Sequence, residues 1–274
     1  MKNILVAIDF SKASRNASEY AVFLAQAFKA NITLINAIAP AVIIDDVAAA
    51  PLIISQSEIV KAYEHSMNNE MNALAKKYDI KISGFVQEGY PANIINDLAK
   101  DINADVIVIG MKGKDRSTAI FGSTTFTVMR KASVPVLVIP ENAVYKSIGV
   151  ITFASDFDSE TELNRYPLLK ELLERYNSFI QILNVQKSEL VMTSRDVIGK
   201  MKTNLAFSDY DHCFQTIEDK NVVEGINKFI EKNPTDILVM IAHPLSFLER
   251  MFGKVYTRIM SHQTKIPLLI LKDK

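Results

Sequence analysis

Tryptophan is absent from this chain of 274 residues, and cysteine occurs once, at Cys213. No intramolecular disulfide can therefore staple the fold, which must rest on a packed core. Charge of one sign is missing as well: 31 Lys and Arg against 31 Asp and Glu give a formal net charge of +0. A global field that would draw in nucleic acid or an anionic membrane is thereby excluded. No apolar run approaches the roughly 20 residues of a membrane-spanning helix. The N-terminal run Ile4-Leu5-Val6-Ala7-Ile8 is too short for a secretory leader, so a cytoplasmic protein is expected.

Catalytic constellations are equally scarce. His65, His212, His243 and His262 lack metal-ligand spacing, and Cys213 beside His212 would point to the opposite face of a strand. A Gly-x-x-x-x-Gly-Lys-Ser/Thr phosphate loop is absent. The expectation is no catalytic residue, no protein-held metal, and at most slow hydrolysis of a bound nucleotide.

What the chain does contain is strand–helix alternation. Residues 4–8, 32–38, 82–87, 106–109 and 134–139 are apolar runs of strand length. Helical periodicity separates them over residues 14–29, 57–78 and 92–101. Such alternation predicts parallel strands with right-handed crossovers.

The second half replays this order. Ile32-Thr33-Leu34-Ile35-Asn36 matches Ile180-Gln181-Ile182-Leu183-Asn184, and Ala104-Asp105-Val106 matches Thr235-Asp236-Ile237. Val134-Pro135-Val136 matches Ile266-Pro267-Leu268, and Asp9-Phe10 matches Asp156-Phe157. Four matches in one order indicate duplication. Two domains, 1–141 and 147–274, are expected, joined by a short polar segment. The first half alone carries an apolar insert at 40–55, readable as a flap, an interface or a loop.

One stretch suits a phosphate, or else serves only turn and helix-capping needs. The run Val106-Ile107-Val108-Ile109 ends at Gly110, followed by Lys112, Gly113 and, after a polar arm, Gly122-Ser123-Thr124 opening a helix. Glycines let backbone N–H groups approach an anion, and a helix N-terminus adds partial positive charge. Asp9, at the carboxyl end of the first strand, reads either as a contact to a ribose or base, or as a helix cap. Gly89-Tyr90-Pro91 reads as a tight turn into a helix. The second half lacks these features. His243-Pro244 follows its fourth strand, Phe247, Leu248, Met251 and Phe252 make the loop apolar, and Lys220-Asn221-Val222 replaces the glycine turn.

On the residues Asp9-Phe10-Ser11, Gly89-x-Pro91, Gly110-x-x-Gly113 with Gly122-Ser123, and Val134-Pro135-Val136-Leu137-Val138, the first half resembles the universal stress protein family. The whole chain resembles a tandem member. The resemblance implies an α/β fold of two doubly wound parallel-sheet domains with strand order 3-2-1-4-5 each, joined through their fifth strands as an intramolecular pseudo-dimer; further homodimerisation stays open. It implies ATP or AMP, with Mg2+ as an optional companion, and an unidentified protein partner. Asp9, Phe10, Gln87 and Gly89 would lie near the nucleoside. Gly110, Lys112, Gly113, Gly122, Ser123 and Thr124 would cradle the phosphates. Residues 114–121 form an arm one residue shorter than the family pattern, leaving a tighter cradle and a closed one both open. An interaction module or small-ligand carrier of the same fold is the alternative. An adenylate-forming enzyme is disfavoured because Ala7-Ile8-Asp9-Phe10-Ser11 holds no Ser-Gly-Gly loop.

Overall fold

A computed structural model describes residues 1–40, 56–111, 123–157, 162–186, 194–242 and 266–272. In the first half, β1 (Asn3–Ala7), α1 (Lys12–Phe28), β2 (Asn31–Ile38), α2 (Gln56–Tyr78) and β3 (Ile82–Glu88) come first. They are followed by α3 (Pro91–Asp101), β4 (Val106–Met111), α4 (Ser123–Lys131) and β5 (Val136–Pro140). The second half contributes β6 (Val150–Ala154), α5 (Pro167–Tyr176), β7 (Phe179–Gln186), α6 (Ser194–Ala206), β8 (His212–Glu218), α7 (Val222–Lys232), β9 (Ile237–Ala242) and β10 (Leu268–Lys272). The apolar insert at 40–55 and the apolar loop 247–252 lie almost wholly or wholly outside the described residues.

The ten strands form one sheet in the order β3-β2-β1-β4-β5-β10-β9-β6-β7-β8. The expected order 3-2-1-4-5 thus appears in the first half and again, mirrored, in the second. Among the described residues all pairings are parallel except the central one, where β10 runs antiparallel to β5 with Leu269 opposite Leu137. Strands buried on both faces need continuous apolar sequence, which is why β1 and β4 were readable. Pro135 lacks an N–H to donate; its carbonyl accepts from Ile107 N (2.9 Å) and β5 itself begins at Val136.

Alternate residues of each strand feed two cores. Ile4, Val6 and Ile8 join α1, α2 and α5 on one face, while Leu5 and Ala7 join α3, α4 and α7 on the other. Both cores continue across the β5–β10 seam. The repeat is also visible in polar detail. Asp105 Oδ2 accepts from Asn3 N (2.9 Å), as Asp236 Oδ2 does from Val150 N (2.8 Å). Each carboxylate fixes the start of the strand beside it.

The joint between the halves is aromatic rather than merely polar. Tyr145 stacks on Phe23 at 4.7 Å, meets Tyr20 edge-on at 5.0 Å, and shares a hydrogen bond with the Tyr176 hydroxyl at 2.8 Å. Burial pushes the Tyr20 and Tyr176 hydroxyls well above the usual phenol range.

Lys272 crosses the same seam, donating from Nζ to the Met129 carbonyl at the end of α4. Burial pushes its ammonium down to about 8. A lysine whose folded pKa lies below its unfolded one weakens the fold while both states are protonated, and that cost fades as pH rises through the folded value. Stability is expected to rise by about 2 kcal/mol between pH 7.5 and 9.5 and then to fall above pH ~10 as the unfolded chain's tyrosines ionise. Urea titrations of the wild-type chain and of Lys272→Met check this: the variant should lack the rise. Among the described residues, no helix is long and apolar enough to cross a membrane.

Candidate functional site

In a doubly wound sheet, ligands bind outside the carboxyl ends of the strands where the direction of winding reverses. Here that point lies between β1 and β4. β1 is hydrogen-bonded to both β2 and β4, with Ala7 opposite Ile35 and Ile109. Ile8 N donates to Ile35 O (2.9 Å), so the chain leaves the sheet at Asp9.

The turn that follows is built from short polar side chains. Asp9 Oδ1 accepts from Ser11 N (3.0 Å), and Asp9 N donates to Ser14 Oγ (3.3 Å). The residue capping α1 is Ser11, whose side chain accepts from Ser14 N (3.3 Å), so the cap reading of Asp9 is replaced by that of a turn former. Its side chain is exposed. Phe10 sits in the left-handed region at φ 60°, rare for a bulky residue. Its ring packs on Tyr63 of α2, with centroids 6.1 Å apart. Phe157 repeats the conformation at φ 59°, so the left-handed turn belongs to both repeats.

Gly110 lies at the carboxyl end of β4, against the opening turn of α1. A Cβ there would come within 2.5 Å of the Ala13 carbonyl oxygen and 2.7 Å of Ser14 N. The glycine therefore brings the α1 N-terminus down onto the end of β4. Across β2, Gly89 N donates to Ile38 O (2.9 Å), and its φ of 145° together with a would-be contact of 2.9 Å to Ile94 Cδ1 excludes a side chain. Gln87 is exposed near the end of β3. Pro91 takes the first turn of α3, and Tyr90, 72% exposed, supplies no side-chain cap. Ser123 and Thr124 open α4, the former exposed and the latter half-buried. Lys112, Gly113 and Gly122 lie outside the described residues.

The helices that begin along this edge are electrostatically alike. α1, α3 and α4 carry no acidic residue in their first turns. That leaves the positive ends of their dipoles uncancelled by an acid of their own first turns. The second half differs at the corresponding turn. Asp219 N donates to Gln186 O (2.8 Å) as Gly89 does to Ile38, but the Asp219 carboxylate is held by Lys228 at 2.6 Å, which lowers its pKa. Asn221 caps α7 by accepting from Val223 N (3.0 Å), and Glu224 follows in the first turn. Side chains thus close this turn in the second half, where α3 of the first half has no side-chain cap.

Sequence reading missed Asn36. It is 3% exposed at the carboxyl end of β2, and its Nδ2 donates to Ile8 O (2.8 Å), tying down the strand end that presents Asp9. Its Oδ1 is buried without a hydrogen-bond partner among the described residues. The signal was available: Asn184 stands at the matching place in the repeat and donates to Ser155 O (2.9 Å). A polar residue inside an apolar run in both halves asks for a reason. Among the described residues no group of three or more His, Cys, Asp or Glu could hold a metal, and Asp45-Asp46 lies outside them.

Fold and site together define a doubly wound α/β protein whose first repeat places glycines, short polar side chains and acid-free helix starts at its switch point. The model of the universal stress protein family matches residues 1–140, and the chain belongs to that family. A universal stress protein of Methanocaldococcus jannaschii is 31% identical over 141 residues, spanning 50% of this chain and 81% of that one. Universal stress protein G of Escherichia coli O157:H7 is 32% identical over 79 residues, 28% of this chain and only 56% of its own length. The crystal structure of a universal stress protein from Archaeoglobus fulgidus DSM 4304 superposes with a TM-score of 0.75 at 15% identity over 98% of both chains, a likeness of fold.

Proposed function

We propose that this chain is an adenine-nucleotide-binding regulatory protein of the stress response, with ATP or AMP held by the first repeat and no nucleotide in the second. The repeats are read as domains 1–141 and 147–274. The observation that carries the proposal is the contrast between the two β3–α3-type turns. Gly89 leaves the α3 N-terminus uncapped and acid-free, whereas Asp219, Asn221 and Glu224 close the equivalent turn with side chains. In this reading Asp9 contacts the ribose or base, and Phe10, Gln87 and Gly89 line the nucleoside end. Gly110, Ser123 and Thr124, with Lys112, Gly113 and Gly122, serve the phosphates. Any Mg2+ arrives bound to those phosphates. The nucleotide biases conformation or association rather than undergoing fast turnover.

Mass spectrometry of protein denatured directly after purification is expected to release an adenine nucleotide. Thermal unfolding with ATP at ~100 times its dissociation constant should show about 2.7 kcal/mol of stabilisation. Asp9→Asn keeps the acceptor for Ser11 N but removes the charge, and should weaken binding about tenfold, the cost of one charge-assisted hydrogen bond. No released nucleotide and no shift with ATP or AMP would count against the proposal.

A further inference from the structure

Amphipathic surface helices turn their apolar side to the core; α6 does the reverse. Val197, Ile198, Met201 and Leu205 are 43%, 53%, 67% and 75% exposed. At 3.6 residues per turn they share one outward arc of roughly 100°. The inward side carries Gly199 and Thr203, with the fully buried Phe207 just beyond the helix end. Thr203 Oγ1 donates to Gly199 O (2.8 Å), and a Cβ at Gly199 would overlap the Phe157 carbonyl oxygen. This rotation of the helix is therefore fixed by backbone contact. α2, the equivalent helix of the first half, exposes Lys61, Glu64, His65, Asn68 and Asn72 instead.

Beside the stripe runs a groove of about 630 Å³ whose lining includes Val197, Met201, Leu205 and Phe214, with Lys200 and Lys202 at its sides. Lys200 Nζ stands 5.1 Å above the Phe214 ring. We infer that this face docks an amphipathic helix of a partner protein, with apolar anchors at i, i+3 or i+4, and i+7 flanked by acidic residues. Three observations select that occupant. The stripe from Val197 to Leu205 is ~12 Å long at 1.5 Å per residue, matching two to three turns of helix and far short of an obligate dimer face. Lys200 at the side of the groove calls for an acidic neighbour, whereas an antiparallel second copy centred on Met201 would set Lys200 against its own counterpart. Exposed Asp209 and Asp211, just past the helix, disfavour an anionic bilayer. The inference is independent of nucleotide binding.

The test titrates the full chain against three fluorescent helical peptides sharing one leucine face, with glutamate, glutamine or lysine flanks. The glutamate peptide should bind at least tenfold more tightly than the lysine peptide, and Met201→Glu with Leu205→Glu should weaken it at least tenfold while leaving the circular-dichroism melt in place. Lys200→Gln should narrow the difference between the peptides. Failure of all three peptides to bind, equal affinities, or binding indifferent to the double variant would overturn the inference. Sedimentation showing a dimer that the double variant abolishes, or flotation with phosphatidylserine vesicles that it abolishes, would overturn it in favour of a second copy or a membrane.

Discussion

Gly110→Val is expected to lower stability by about 3 kcal/mol, seen as a fall in Tm of roughly 10 °C. The valine Cβ would press on the Ala13 carbonyl and Ser14 N, backbone atoms in the capped first turn of α1. Relief requires moving that turn, and with it the Asp9–Ser11 hydrogen bond. The second repeat carries a large side chain at the matching position. Ile241 occupies the matching place and is 6% exposed. α5 begins only at Pro167 and runs 10 residues against 17 for α1. Ile241→Gly should accordingly cost about as much as Gly110→Val, through a lost core side chain rather than a clash. Guanidinium titrations of both variants check the pair; a neutral Gly110→Val would show that α1 is not pinned to β4.

Tyr145→Ala is expected to cost about 3 kcal/mol and to loosen the coupling between the halves. Tyr145 touches Tyr20 and Phe23 of α1 and Tyr176 of α5, so one ring bridges helices from both repeats. β5 and β10 remain paired without it, and the chain should stay folded. Its unfolding should broaden or split in differential scanning calorimetry. Tyr145→Phe keeps the ring contacts and loses only the hydroxyl pair, worth about 1 kcal/mol. Equal losses in the two variants would assign the clamp to the hydrogen bond instead of the rings.

Much of the fold was legible because doubly buried strands cannot hide. Residues 4–8 and 106–109 announced β1 and β4 as unbroken apolar runs, and the match of Asp105 to Asp236 marked the repeat, while the role of both carboxylates at strand starts needed the structure. The glycines at 89 and 110 were also legible as special, though the reason for Gly110 is the close approach of α1, which no local pattern reveals. Asn36 was obscured by the apolar run it sits in. The inside-out α6 was obscured because periodicity shows a stripe without saying which way it faces. The joint looked polar because Tyr145 stands beside Lys146 in sequence, while its partners are 122 and 31 positions away, at Phe23 and Tyr176.

The account turns on one nucleotide site per chain, in the first repeat. Isothermal titration of the full chain, stripped of bound nucleotide, with ATP should give one molecule bound per chain, and Gly122→Val should abolish the heat while leaving the thermal melt in buffer unchanged. A stoichiometry of two, no heat at all, or undiminished binding by the variant would contradict it.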